Sequence, residues 1–199
     1  MIRYRAPTIT ESEEIAVIHL KTFKNFFLSS LGKSFLITYY TSCIKSKEAI
    51  SICAVDGNNR IIGFCFGSLL SKGFHKKLIW SNLLPFTFQA ISILFSKPKA
   101  IIRLITNLKK DANLEDDGDY SELLSIGVLV EKKGQGIGKG LIIAFEKECG
   151  KESVKKISLT TDFNSNDAVL SFYKSMGYIV YGQFTTYPNR KMFKLIKNI

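Results

Sequence analysis

The chain has 199 residues, 46% of them hydrophobic, with 15 phenylalanines and 8 tyrosines. This length and composition predict one packed domain over residues 1–199 and exclude an intrinsically disordered protein. The formal net charge is +11, but no RNA-binding, zinc-finger or helix-turn-helix signature accompanies it, so nucleic acid is not predicted as a partner.

Cysteine and histidine usage points to a reduced protein without a metal centre. The four cysteines lie in apolar stretches without a C-x-x-C pair, which predicts buried thiols in a cytosolic protein. The two histidines are far apart, so we expect no metal site. His19 falls in a helical pattern, and we expect it at the surface or at the boundary of the core.

Neither a secretory signal nor a membrane span is predicted. The amino terminus is too polar for a signal peptide. The most apolar later stretch, Leu83–Phe95, is too short to span a bilayer, which requires about 20 residues. We therefore expect a cytoplasmic protein.

The N-terminal part of the chain predicts strands and helices in alternation. These elements are a strand at Ile2–Arg5, a helix from Thr10 to about Lys24, a second helix at Gly32–Lys45, and two strands at Ile50–Val55 and Ile61–Leu70. Thr10 and Glu13 have the spacing of a capping box, which places the start of the first helix. The turn sequence Asp56-Gly-Asn-Asn59 between the last two strands is a strong hairpin signal.

Residues 71–119 form an insertion with an unusual charge distribution. Residues 57–110 contain no Asp or Glu, and acidic residues return from Asp111 onward. Within the insertion, Leu83–Phe95 and Ala100–Leu108 have the pattern of two short helices. The first interpretation is a helical insertion that packs on the core with a solvated basic face. The alternatives are a lid or acceptor surface and, ranked third, peripheral contact with an anionic membrane.

Residues 122–140 combine an apolar strand pattern, a short charged connector and a run with glycine at every second position. An amphipathic helix pattern follows. Such a junction turns backbone N–H groups around an anion, and the helix N-terminus adds partial positive charge. The spacing matches neither G-x-x-x-x-G-K-S/T nor G-x-G-x-x-G. The segment therefore predicts a phosphate-containing ligand on a loop of another kind, with a purely structural turn as the alternative.

A second strand–helix pair lies further along the chain: Ile157–Phe163 alternates like a strand, and a capped helix pattern follows it. The two segments together resemble the characteristic motifs of the GNAT acetyltransferase family, Q/R-x-x-G-x-G/A and N-x-x-A-x-x-x-Y-x-x-x-G-F/Y. The first is Lys133-Gly-Gln-Gly-Ile-Gly138, with lysine in place of arginine or glutamine. The second is matched by Asn166, Val169, Tyr173, Gly177 and Tyr178, with Ala168 one place early.

The resemblance implies a layered α/β (α+β) fold with a central, twisted, mixed and mostly antiparallel sheet, helices on both faces, and the helical insertion. It implies acetyl-CoA as the cofactor, with the pantetheine arm against backbone groups of Ile126 and Val128, around Gly127, where two strands diverge. It also assigns the glycine loop and two side chains of the second motif to the cofactor. These residues are Lys133, Gly134, Gln135, Gly136, Ile137, Gly138, Lys139, Asn166 and Tyr173.

The reaction implied is direct attack of an amine on the acetyl thioester, which requires a base and benefits from an acid. By resemblance Tyr173 is the acid, although an ordinary core aromatic is the alternative. Glu122 holds the position of the catalytic glutamate of histone acetyltransferases, and we expect it on the same strand face as Ile126. A water-mediated base is the rival. In the family branch that acetylates ribosomal protein N-termini the catalytic glutamate lies on the following strand, and by resemblance that position is Thr161 here, beside Asp162.

The acceptor is expected to be a small-molecule amine. The basic insertion disfavours polycationic acceptors and favours an acidic or nucleotide-linked amino sugar. Two alternatives remain: a non-catalytic acyl-CoA-binding module, and a protein N-terminal or lysine acetyltransferase. A homodimer is compatible with the sequence.

Overall fold

The computed structural model describes residues 1–24, 26–96, 118–186 and 189–199, where helices flank a seven-stranded sheet. The strands are β1 (Arg3–Arg5), β2 (Ala49–Val55), β3 (Ile61–Ser68), β4 (Ser121–Val128), β5 (Lys156–Asp162), β6 (Ile179–Thr186) and β7 (Arg190–Asn198). The helices are α1 (Ser12–Thr22), α2 (Phe27–Ser30), α3 (Lys33–Lys45), α4 (Phe74–Ser81), α5 (Leu83–Ser96), α6 (Ile137–Lys151) and α7 (Asp167–Ser175).

The sheet is mixed, with the strand order β1-β2-β3-β4-β5-β7-β6. Strands β4 and β5 run parallel, and each of the other neighbouring pairs in the described chain is antiparallel. The predicted layered fold with a mostly antiparallel sheet is therefore confirmed.

Both faces of the sheet are buried under helices. On one face Ile15 of α1 and Tyr40 of α3 share a core with Phe64 of β3. On the other face Phe145 of α6 shares a core with Cys65, the next residue of β3. Successive residues of a strand point to opposite faces, so the uninterrupted apolar pattern of β3 follows from its central position.

The start of the first helix differs from the prediction, because the capping box is formed by Thr8 and Glu11 and not by Thr10 and Glu13, and it caps the short 3₁₀ turn Ile9–Glu11 that leads into α1. The Glu11 carboxylate accepts hydrogen bonds from the Thr8 N–H at 2.7 Å and from the Arg5 guanidinium at 2.6 Å. The Arg5 bond is the main reason why the pKa of Glu11 falls to about 2. An ion pair with β1 therefore sets the helix start, and sequence spacing alone does not contain that contact.

Strand β4 contains a bulge that changes which side chains share a face. In the ladder with β3, Leu123 and Ser125 oppose consecutive residues, so Leu124 is the extra residue. As a result Glu122 lies on the α3 side of the sheet, whereas Ile126 packs with the α6 core. The prediction that they share a face is wrong, because one extra residue reverses the alternation of a strand.

The described part of the insertion contains α4 and α5, which meet at an angle of 96°. Helix α5 confirms the predicted helix at Leu83–Phe95, and the predicted helix at Ala100–Leu108 lies outside the described residues. The outer side of α5 is apolar, with Leu84 and Phe88 largely exposed, and not basic as predicted. Within the described ranges no single helix has the length and apolarity to cross a bilayer, and α4 with α5 meets that test only as a bent pair.

Candidate active site

A cleft opens between the parallel strands β4 and β5. The two strands pair only where Ser121–Leu123 opposes Ile157–Leu159. Beyond this point β4 continues to pair with β3, and β5 with β7. Strands β4 and β5 therefore diverge because each stays paired with its other neighbour, β3 or β7. We call the space between Leu124–Val128 and Thr160–Asp162 the cleft. Its β4 side carries the predicted residues Ile126, Gly127 and Val128.

The glycine loop that joins β4 to α6 forms an open cradle. Gly134 and Gly136 have φ angles of 79° and 75°, a left-handed conformation that is unfavourable for residues with a side chain. A Cβ added at either position would meet no atom within 4 Å. Gly136 caps α6, and the Gly140 N–H donates to its carbonyl at 3.0 Å. The N–H groups of residues 137–139 come before this first hydrogen bond of α6 and have no acceptor within the helix. The cradle therefore fits a phosphate group.

The side chains of the loop divide between solvent and core. Those that face solvent are Lys133, Gln135 and Lys139. Ile137 is buried in the core beneath α6, so it can offer a ligand only its backbone. At Gly140 an added Cβ would overlap the Tyr4 side chain of β1. The absence of a side chain at Gly140 therefore makes room for the Tyr4 ring.

Asn166 fastens helix α7 to the end of β5. It is the N-cap of the helix, and its Nδ2 donates to Thr161 Oγ1 at 2.6 Å and to the Asp162 carbonyl at 2.9 Å. These contacts hold the β5 edge of the cleft. Contact of Asn166 with a cofactor stays a prediction.

Tyr173 belongs to the same core cluster as Ile126 and Val128. Tyr173 is only 6% exposed, and its ring centroid lies 5.3 Å from that of Phe172 and 5.8 Å from that of Tyr178. Burial raises the pKa of the Tyr173 hydroxyl well above its ordinary value, so the group is protonated at neutral pH. Tyr173 is thus a core aromatic that also holds a proton.

Glu122 lies at the narrow end of the cleft, opposite Ser158 of β5. Its carboxylate accepts a hydrogen bond from Ser71 Oγ at 2.6 Å. Burial lowers the pKa of nearby His75, and the Glu122 charge offsets part of that effect, so the imidazole is neutral at pH 7. The sequence did not predict Ser71 or His75 as neighbours, because no motif fixes how the chain leaves β3 and enters the insertion.

An aromatic and cationic wall crosses the mouth of the cleft; we call Phe23, Phe26, Arg190 and Asp162 the Phe–Arg wall. A Cβ added at Gly127 would lie 3.3 Å from the Phe23 ring. The rings of Phe23 and Phe26 lie 5.1 Å apart. The Arg190 guanidinium is 4.6 Å from the Phe26 centroid and forms an ion pair with Asp162. The contacts therefore run from β4 to β5 across the opening.

Sequence reasoning missed the Phe–Arg wall. Phe23 lies at the end of the predicted first helix and Phe26 just after it, and Arg190 lies far away at the start of β7. Phenylalanines near the end of a helix were the only signal, and they indicate no partner.

His19 is buried, which corrects the expectation of a surface or boundary residue. Its Nδ1 lies 2.6 Å from the Tyr40 hydroxyl, which lies 3.3 Å from Ser125 Oγ on β4. Burial lowers the pKa of His19 to about 4. Helix periodicity placed His19 in α1 correctly but did not show that its side of the helix meets α3.

The model of the acetyltransferase (GNAT) family matches residues 18–178. The chain belongs to the GNAT acetyltransferase family. The match spans the insertion and both motifs, and membership in this family makes the protein an acyltransferase. Among curated proteins, none matches the sequence.

Solved acetyltransferases share the fold. The ribosomal-protein-S18-alanine N-acetyltransferase from Escherichia coli superimposes with a TM-score of 0.64 at 13% identity. The alignment covers 100% of this chain and 94% of that enzyme. The PaiA N-acetyltransferase from Thermoplasma acidophilum, solved in complex with coenzyme A, has a TM-score of 0.63 at 16% identity, with coverage of 100% and 99%. A GNAT acetyltransferase from Streptococcus pneumoniae has a TM-score of 0.60 at 13% identity, with both chains covered completely. At these identities the likeness is one of fold.

Proposed function

We propose that this GNAT protein is an acetyl-CoA-dependent N-acetyltransferase that acetylates the primary amine of a small acceptor in a ternary complex. The observation that carries the proposal is the cleft between β4 and β5 beside the open glycine loop. A long ligand with a phosphate at one end and amide groups along its arm matches both features, because the loop presents N–H donors and the β4 edge presents strand backbone.

The residues that would hold acetyl-CoA follow from this geometry. The amides of Gly134–Lys139 would bind the pyrophosphate, and Lys133 and Lys139 would add positive charge. The backbone of Ile126 and Val128 would hydrogen-bond with the pantetheine arm. When bound, acetyl-CoA supplies an activated acetyl thioester at the narrow part of the cleft.

We assign the proton transfers to two side chains at the cleft. Tyr173 holds a proton at Oη because burial raises its pKa, and it would donate this proton to the departing sulfur. Glu122 would take the proton of the amine, directly or through water, while the Ser71 hydroxyl orients its carboxylate. The β4 backbone N–H groups that face the cleft would stabilise the oxyanion.

For the acceptor we propose an acidic or nucleotide-linked amino sugar as the first class to test. The Phe–Arg wall supports this choice, because the Phe26 ring at the mouth of the cleft suits a planar base. The formal charge of +11 favours encounter with an anionic acceptor.

Release of coenzyme A thiol from acetyl-CoA, measured across a panel of amines, tests the proposal. We expect turnover with at least one small amine and identification of the acetylated amine by mass spectrometry. Binding of acetyl-CoA without turnover on small amines, peptide N-termini or lysine peptides would identify a non-catalytic acyl-CoA-binding module. Turnover only with peptides would assign a protein acetyltransferase.

Replacement of Glu122 tests its assignment as the base. We expect Glu122→Gln to lower kcat by about 100-fold, in line with general base contributions, with unchanged affinity for acetyl-CoA. Glu131→Gln is the matched control. Glu131 is an exposed carboxylate in the short turn after β4, whereas Glu122 lies near the start of that strand. Equal kcat for Glu122→Gln and the parent would assign the base to water.

A further inference from the structure

Helix α5 carries an apolar stripe directed into solvent. Leu84, Phe88, Ile91 and Phe95 are spaced by four, three and four residues, so they lie on one side of the helix. Their exposed fractions range from 51% to 84%. The whole helix contains no charged residue. Exposed apolar surface of this extent on one face of a helix marks an interaction surface.

The opposite side of α5 accounts for its packing on the core. Ile93 is buried, and the Phe86 ring lies 6.0 Å from the ring of Phe35 on α3. Gln89 Nε2 donates to Ser34 Oγ at 2.9 Å. Because these contacts fix the orientation of the helix, the apolar stripe is held outward and is not needed for the core.

The neighbouring helix α4 exposes a tryptophan and lysines. Trp80 is 73% exposed and lies four residues after Lys76, which places both on one side of α4. Lys72 is exposed just before the helix, and Lys77 is partly engaged with Glu48 at 3.0 Å. The sequence between residues 57 and 96 has cations but no carboxylate. The α4–α5 segment itself therefore combines apolar side chains with cations only, and the Glu48 carboxylate beside it is paired with Lys77.

We propose that this α4–α5 surface docks the protein on an anionic lipid bilayer. Leu84, Phe88 and Phe95 would enter the interface between headgroups and acyl chains, and Trp80 would lie at headgroup depth. Lys72 and Lys76 would face the anionic headgroups and add electrostatic attraction.

Charge favours a bilayer over other occupants of this surface. A second copy would bring Lys72 and Lys76 of one chain against the same cations of the other, while Glu48 is already paired with Lys77, which is unfavourable. Nucleic acid would be attracted by the lysines, but it offers no apolar surface to cover the stripe. Anionic lipid supplies both acyl chains and negative charge.

Co-sedimentation of the full chain with vesicles tests the proposal. We expect binding to vesicles that contain phosphatidylglycerol, weakening at high salt, and little binding to pure phosphatidylcholine. The triple variant Leu84→Ser, Phe88→Ser, Phe95→Ser should lower the partition ratio by at least about tenfold, because it removes the inserted apolar area. The double variant Lys72→Gln, Lys76→Gln should lower binding mainly at low salt.

The matched control is Ile179→Ser with Tyr181→Ser, which removes exposed apolar residues from the edge strand β6. It should bind vesicles as the parent does, and circular dichroism should show both variants folded. Absence of binding by the parent, or equal binding by the triple variant, would overturn the proposal. A dimer in sedimentation velocity that the triple variant dissociates, without vesicle binding by the parent, would assign the surface to self-association instead.

Discussion

Two glycines of this chain begin helices with the same backbone conformation. Gly136 caps α6 at φ 75° and ψ 2°, and Gly73 caps α4 at φ 76° and ψ 0°. At both positions an added Cβ would meet no atom within 4 Å. The local structure of the two residues is therefore matched, whereas their positions differ: only Gly136 belongs to the glycine loop at the cleft.

The matched glycines separate backbone strain from ligand binding. We expect Gly136→Ala and Gly73→Ala each to lower stability by about 1–2 kcal/mol, because alanine is strained in the left-handed region. Only Gly136→Ala should lose acetyl-CoA affinity, by tenfold or more, as measured by calorimetry on the folded variants. Equal affinities for the two variants would remove the glycine loop from the cofactor site.

Replacing Tyr173 by phenylalanine removes only the hydroxyl oxygen and therefore tests whether Tyr173 is the general acid. We expect Tyr173→Phe to lower kcat by about 10- to 1000-fold, since a general acid is lost, with little change in acetyl-CoA affinity. Tyr178→Phe is the control, because Tyr178 is buried in the same cluster and its ring faces Lys197. Steady-state kinetics that show the same kcat for Tyr173→Phe and the parent would leave Tyr173 a packing residue alone.

At the scale of elements, the sequence predicted those helices and strands that depend on the local spacing of apolar residues. The helix at Gly32–Lys45 and the strand before the glycine loop follow from apolar periodicity, and the structure contains both. The bulge at Leu124 could not be predicted, because an extra residue is visible only once β3 is the known partner. The packing of His19 depends on a contact with Tyr40 from another helix, and no local pattern contains such a contact.

The Phe–Arg wall joins the segment after α1 to the start of β7, and its removal should affect the acceptor alone. We expect Arg190→Met to raise the acceptor KM by roughly 5- to 30-fold, equivalent to about 1–2 kcal/mol of cation–aromatic and ionic contact. Acetyl-CoA affinity should be unchanged. Lys191→Met is the control, because Lys191 is the adjacent cation and its amine lies over Phe163 instead. An unchanged acceptor KM in Arg190→Met would reduce the wall to a structural support.

At the scale of the whole molecule, buried His19 couples folding to pH. The folded pKa of about 4 lies below the ordinary value of 6.5, so the unfolded chain binds the proton more readily between these values. Stability should therefore be unaffected by His19 above pH 6.5 and should fall as the pH decreases toward 4, by on the order of 3 kcal/mol.

Urea unfolding at pH 7 and pH 5 checks this dependence. We expect the parent to lose stability between the two values and His19→Gln to lose less, because the variant has no imidazole to protonate. Tyr40→Phe keeps the histidine and should retain the pH dependence of the parent, even if its stability is lower at both values. A His19→Gln variant with the same pH dependence as the parent would contradict the role of His19.

The Phe–Arg wall also bears on how the acceptor range of this protein can change over generations. Its members come from three chain segments, namely the segment after α1, the end of β5 and the start of β7, and none of them overlaps the glycine loop. Substitutions at Phe26 or Arg190 can thus alter the mouth of the cleft while α6 and its amides stay in place. Under the proposed function such substitutions would change acceptor preference, and the same positions offer a directed-evolution library that leaves the proposed acetyl-CoA site unchanged.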